Sequence, residues 1–119
     1  MTITLYGIAN CDTVKKTKKL LDTHQVDYQF YDYKKQAPSH DMLQRWLDNF
    51  GAEKVINKRG TTWRKLDDNQ KALAEKGSKH QIQLLLDNHS MIKRPIIEKS
   101  DSSDALIGFD QQAITSFIN

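Results

Sequence analysis

The chain has 119 residues, 38% hydrophobic and 28% charged, a balance that excludes a disordered segment and predicts one soluble globular domain. Eighteen Lys and Arg against fifteen Asp and Glu leave a net charge of +3, with acidic residues mixed throughout. That argues against a direct nucleic-acid binder, and no apolar run approaches the length of a membrane span. A single cysteine cannot form an internal disulfide; it fits a reducing compartment, with the cytoplasm as the expected location.

Thr2 to Tyr6 alternates, with Ile3 and Leu5 on one face, and predicts a strand that Gly7 breaks. Asn10 reads as the N-cap of a helix running to about Thr23, with Val14, Leu20 and Leu21 as apolar contacts. Lys15, Lys16, Lys18 and Lys19 spread over a broad face of that helix, as a solvated surface does; a weaker reading has them attract an anionic substrate. Val26, Tyr28 and Phe30 then alternate with polar residues in a second strand ending near Tyr31 or Asp32. Strand, helix and strand in so short a span argue for a parallel βαβ unit.

Pro38-Ser39 opens a helix with Leu43, Trp46, Leu47 and Phe50 at helical spacing, and Gly51 closes it. Lys58 to Arg64 reads as a polar connection holding Arg59 and Trp63. A helix over about Asn69 to Lys76 ends at Gly77. Ser78 starts another, with Gln81 placed for a capping box and Ile82, Leu85 and Leu86 as its apolar stripe. Strand signals return at Ile96-Ile97 after Arg94-Pro95, and at Ala105-Leu106-Ile107 after a turn-rich Ser100 to Asp104, predicting an antiparallel hairpin. Asp110 caps a last helix with Ile114, Phe117 and Ile118 on one face. The expected fold class is α/β: a thioredoxin-like (glutaredoxin-type) mixed four-stranded sheet. A helical insertion at about 38–90 separates its βαβ and ββα halves within one domain spanning 1–119.

Cys11 falls at the start of the first helix, where unpaired N–H groups and the helix dipole favour thiolate over thiol. Position alone leaves it open between a nucleophile and a small buried hydrophobe. His24, His40, His80 and His89 show no metal-ligand spacing, so no metal site is expected. Trp46 reads as core, and Trp63 as either packing or the rim of a site near Arg59.

Three stretches, Gly7-Ile8-Ala9-Asn10-Cys11-Asp12-Thr13, Asn57-Lys58-Arg59-Gly60-Thr61-Thr62 and Ile92-Lys93-Arg94-Pro95-Ile96-Ile97, resemble the motifs of the arsenate reductase (ArsC) family, which includes the Spx regulators. They occur in the family's order and spacing over essentially the whole chain. The wordings Asn-Cys-Asp-Thr and Arg-Gly-Thr-Thr are nearest to the small YffB-type branch. The resemblance implies that Cys11 is a nucleophile, flanked by Asn10 and Thr13, whose turn cradles an oxyanion or a departing sulfur. It implies that Arg59 lowers the thiol pKa, and that Arg59 and Arg94 bind an anionic substrate or glutathione. It also implies a cis Pro95 presenting backbone to a peptide-like substrate.

Departures from the family pattern narrow the expectation. Asp12 stands where arsenate reductases commonly carry glycine, and Ala105 to Asp110 lacks their third arginine. Val14 stands where Spx proteins generally carry a second cysteine. The expected activity is therefore that of a monothiol oxidoreductase with glutathione as co-substrate and no bound cofactor. Glutathione or glutaredoxin would be its partner, acting on a small oxidised or anionic substrate. Arsenate reduction is one alternative. A non-catalytic Spx-like adaptor touching RNA polymerase is the other.

Overall fold

In the computed structural model, which describes residues 2–119, strand β1 (Ile3–Gly7) is one of two inner strands of the sheet. It pairs in parallel with β2 (Tyr28–Asp32) and antiparallel with β3 (Ile96–Lys99), which pairs antiparallel with β4 (Ala105–Ile107). The sheet is thus mixed, in the order β2-β1-β3-β4. Ile3 and Leu5 point to one face with Ile97, as the strand period of two requires. There they meet Val14 and Leu21 of helix α1 (Asp12–Thr23) and Ile114 and Ile118 of helix α7 (Gln111–Ile118). The opposite face carries Tyr6 beside Tyr31, ring centroids 5.4 Å apart, and Tyr31 lies 6.4 Å from Tyr33.

The chain divides into two compact units, Met1–Gln36 with Arg94–Asn119, and Ala37–Lys93. The first holds the whole sheet with α1 and α7. The second is helical: α2 (His40–Phe50), α3 (Ala52–Val55), α4 (Thr61–Lys65), α5 (Asp68–Ala72) and α6 (Ser78–Asp87), with 3-10 turns at Leu73–Glu75 and His89–Met91. In it α2 packs on α3 and α6, and Leu43, Trp46, Val55, Leu85 and Ile92 are fully buried.

Ser39 caps α2, its hydroxyl accepting from Met42 N–H at 3.1 Å, and Gly51 ends it at φ 88°. Asp110 caps α7 by accepting from Ala113 N–H at 3.0 Å. The expected capping box at Ser78 and Gln81 does not form. Gly77, at φ 95°, occupies the cap position, Ser78 is already helical, and Gln81 Nε2 donates to Ala74 O at 2.8 Å. A capping box forms instead at Asp67 and Gln70, which bond reciprocally at 2.8 and 3.1 Å. The stripe of α6 is also shifted by one side chain: Leu84 is buried and Leu86 is exposed. The connection expected over Lys58 to Arg64 contains α4, one short turn without apolar periodicity.

Candidate active site

The cysteine turn is set by close packing at its base. Gly7 ends β1, and a Cβ there would stand 2.6 Å from Val14 Cγ2, well inside contact distance. Val14 is fully buried. Glycine at 7 therefore lets the first turn of α1 sit directly on the end of β1, with Ile8, Ala9 and Asn10 closing the loop between them. Asn10 was the expected N-cap. The cap is instead Cys11, at φ −144° and ψ 124°, whose carbonyl accepts from Lys15 N–H at 2.9 Å. Asn10 is exposed one residue ahead of it.

Cys11 is half-buried, and its Sγ lies 3.2 Å from Thr13 Oγ1. Burial pushes the thiol pKa up, but the Thr13 hydroxyl, the Val14 backbone N–H and the guanidinium of Arg94, which both hydrogen-bonds and attracts the charge, together hold it below its ordinary value. The Val14 N–H closes no full cap bond with the sulfur, yet its dipole favours the charged form. Thr13 is held in turn. Its carbonyl accepts from Thr17 Oγ1 at 2.7 Å, and Thr17 is itself fully buried.

Arg94 is half-buried, and its charge is also felt by the phenol of Tyr33, which is only 1% exposed. Burial raises the Tyr33 pKa well above its ordinary value and outweighs the pull of Arg94, so Tyr33 stays a neutral wall. The Arg94–Pro95 peptide is cis, and the Pro95 carbonyl accepts from Gly108 N–H at 2.8 Å.

The fold thus brings together Cys11, Thr13 and Arg94. Arg59 belongs to the other unit, where it is exposed and its backbone N–H donates to Asn57 Oδ1 at 3.1 Å. Trp63 in that unit is half-buried beneath two ammonium groups, Lys58 at 5.2 Å and Lys71 at 6.0 Å from the ring centroid. On α1, Lys15, Lys16 and Lys19 are exposed as a solvated face, whereas Lys18 lies 3.7 Å over the Phe30 ring. Lys18 and Lys35 flank a surface groove of about 390 Å³ that Ala9 of the cysteine loop also lines. Among the described residues no three His, Cys, Asp or Glu side chains gather as metal ligands, and no helix is long and apolar enough to cross a membrane.

Sequence reasoning gave no role to Thr17, Tyr33 or Asn57. Thr17 carried a usable signal, being four residues after Thr13, the spacing at which a threonine hydroxyl reaches back to a helix carbonyl. Tyr33 carried none, because its burial depends on tertiary structure.

A thiol whose pKa is lowered by a hydroxyl, a backbone N–H and a guanidinium is chemically suited to attack an electrophilic sulfur. Replacing Thr13 with valine keeps the shape and removes the hydroxyl. The inflection of Cys11 alkylation by iodoacetamide should then move to higher pH, with the rate at pH 7 falling about fivefold, the worth of one net hydrogen bond. An unmoved inflection would show that the Sγ to Oγ1 contact does not stabilise the thiolate.

The ArsC family model matches residues 6–117. A solved structure described as a YffB protein superposes with a TM-score of 0.90 at 41% identity, covering 98% of this chain and 99% of its own. An arsenate reductase (ArsC) related protein from Brucella melitensis is 35% identical with a TM-score of 0.73, covering 98% of this chain and 94% of its own. A global transcriptional regulator Spx from Streptococcus pyogenes serotype M6 is 30% identical over 98% of this chain and 85% of its own length.

Proposed function

This chain belongs to the ArsC family, and from that premise we propose that it is a glutathione-dependent monothiol oxidoreductase with Cys11 as its nucleophile. The observation that carries the reading is a single thiol, half-buried, with the Thr13 hydroxyl and the Arg94 guanidinium at its sulfur and no second cysteine in the chain. Groups that lower a thiol pKa are characteristic of cysteines that react.

In the first step the Cys11 thiolate attacks the glutathione sulfur of a mixed disulfide between glutathione and a substrate thiol. A new S–S bond forms, the old one breaks, and its electron pair leaves on the substrate sulfur, which takes up a proton. In the second step the thiolate of another glutathione attacks the glutathione sulfur on Cys11. Oxidised glutathione departs and the Cys11 thiolate is restored. Two electrons pass from glutathione to the substrate, and glutaredoxin is the partner that can replace glutathione in the second step. Arg94 holds charge at the reacting sulfur. Arg59 is the residue we assign to a carboxylate of the glutathione moiety, and Asn10, Thr13 and Pro95 are those we assign to substrate beside Cys11. The chemistry belongs to a reducing compartment such as the cytoplasm.

Mass spectrometry of the folded protein after incubation with oxidised glutathione tests this. A mixed disulfide on Cys11, formed more slowly in Arg59→Ala and Arg94→Met variants, is the expected result. A folded protein that gains no adduct would sink the proposal.

A second reading, an adaptor without catalysis, is favoured by the match to an Spx regulator over 98% of this chain. Recovery of RNA polymerase subunits with the protein, unaffected by Cys11→Ser, would support it. Arsenate reduction is the narrower enzymatic alternative. The absence of arginine between Ala105 and Asp110 speaks against it, and turnover of arsenate with glutathione and glutaredoxin would restore it.

A further inference from the structure

The loop that carries Arg59 is organised by one side chain to which the chemistry above gives no role. Within the second unit, residues 55–57 and 91–93 run antiparallel as a short ladder. Asn57 N–H donates to Met91 O at 2.7 Å, Lys93 N–H donates to Val55 O at 2.8 Å, and Ile56 stands opposite Ile92. Both isoleucines are buried, so the backbone of Asn57 is anchored in the core of its unit. Its side chain reaches forward from that anchor, and Oδ1 accepts from the Arg59 N–H at 3.1 Å, closing an Asx turn. On the other side of Arg59, Asn57 Nδ2 lies 3.4 Å from where a Cβ on Gly60 would stand, so the amide also packs under the glycine. The neighbouring cation is committed elsewhere: Lys58 pairs with Glu75 at 3.1 Å. The turn therefore presents the exposed Arg59 as its guanidinium, while the Lys58 ammonium faces Glu75.

We propose that Asn57 is the positioning residue for Arg59, fixing the backbone from which the guanidinium reaches a carboxylate of a glutathione-class disulfide. This rests on the reading that Arg59 binds that anion. A long exposed side chain loses rotamer freedom when it binds, and an unfixed backbone would add to that loss. Asn57 acts on affinity, since its hydrogen bonds lie within its own turn and its own unit.

The test is single-turnover adduct formation on the full-length protein with two disulfides, oxidised glutathione and the uncharged 2-hydroxyethyl disulfide. Asn57→Ala should raise the half-saturating concentration of oxidised glutathione about fivefold while leaving its limiting rate within about twofold. The rate with the uncharged disulfide should be unchanged. Asn57→Ser, whose hydroxyl can close the same kind of turn, should return the half-saturating concentration to within about twofold of wild type. Arg59→Ala separates the layers. If it leaves the half-saturating concentration unchanged, the anion-binding reading of Arg59 fails and this inference with it. If Arg59→Ala raises it and Asn57→Ala does not, only the positioning role is overturned. An Asn57→Ala variant equally slow with the uncharged disulfide also overturns that role, since the damage is then general. Should Asn57→Ala not fold, amide exchange in the wild type decides: a protected Arg59 N–H supports the turn, and exchange at the rate of an unstructured peptide overturns it.

Discussion

Replacing Arg94 with methionine should slow alkylation of Cys11 by iodoacetamide at pH 7 by roughly tenfold, the lower end of what a hydrogen bond to a charged group is worth when its partner is partly exposed. Iodoacetamide carries no charge, so the loss reports the thiolate fraction and not substrate binding. The Thr13 hydroxyl and the Val14 N–H remain in the variant and still oppose the upward push of burial, while the pKa rises. The pH profile carries a second signature. A more basic thiolate is a better nucleophile once formed, so well above the inflection Arg94→Met should react faster than wild type and the two profiles should cross. Profiles that run parallel at every pH would show that Arg94 acts on something other than the charge of Cys11.

The same depression links pH to stability. Between the folded pKa of Cys11 and the ordinary thiol value of about 8.5, the unfolded chain binds the proton that the native chain has released, so stability rises with pH across that window. The contribution is complete above the unfolded value and is lost as pH falls through the folded one. Urea unfolding of wild type minus Cys11→Ala, followed across the window, should show a difference that grows with pH.

Gly7→Ala should lower the unfolding free energy by about 1–3 kcal/mol, the usual range for forcing a methyl into a packed core. The added carbon would stand 2.6 Å from Val14 Cγ2, so either Val14 leaves its rotamer or α1 lifts from the end of β1. Either movement displaces the turn that holds Cys11 against Arg94, and iodoacetamide reactivity should fall along with stability. Val14→Ala supplies the matching test. Alone it opens a cavity beneath α1, but combined with Gly7→Ala it makes room for the new methyl, and the pair should be more stable than the sum of the two losses. Urea midpoints with unchanged slopes measure all three. A single Gly7→Ala variant within about 0.5 kcal/mol of wild type would show that the contact relaxes freely.

The strands and long helices were legible in the sequence because each buries one face, and burial imprints a period: two in Ile3 to Leu5, near four in Leu43, Trp46 and Leu47. What escaped were pieces whose stability is not written as a period. Helix α3 is four residues long and α4 five, too short for a stripe. The latter is held by tertiary contacts, with Thr62 bonded to Ser90 at 2.7 Å and Trp63 lying under Lys58 and Lys71. At α1 the intrinsic capping preference of Asn10 lost to the packing of Val14 on Gly7, which sets the helix start one residue later. The site divides along the same line. Cys11 and Thr13 are two residues apart and could be read together. Their meeting with Arg94 depends on β3 lying beside β1, which no local pattern encodes, and the family motif alone pointed to it.

The sheet's unit is discontinuous in sequence whereas the helical unit is one uninterrupted run. On a ribosome the helical run is therefore complete while β1 still lacks β3, the strand paired to its side, and Thr2 N–H still lacks its acceptor Ser100 Oγ, 98 positions away. Arg94 is among the first residues to emerge after that run, and β3 follows it directly. Until then Cys11 has its helix turn and its neighbouring hydroxyl but no guanidinium, and its sulfur remains closer to an ordinary thiol. A copy unfinished before Arg94 therefore carries Cys11 without the guanidinium that lowers its pKa.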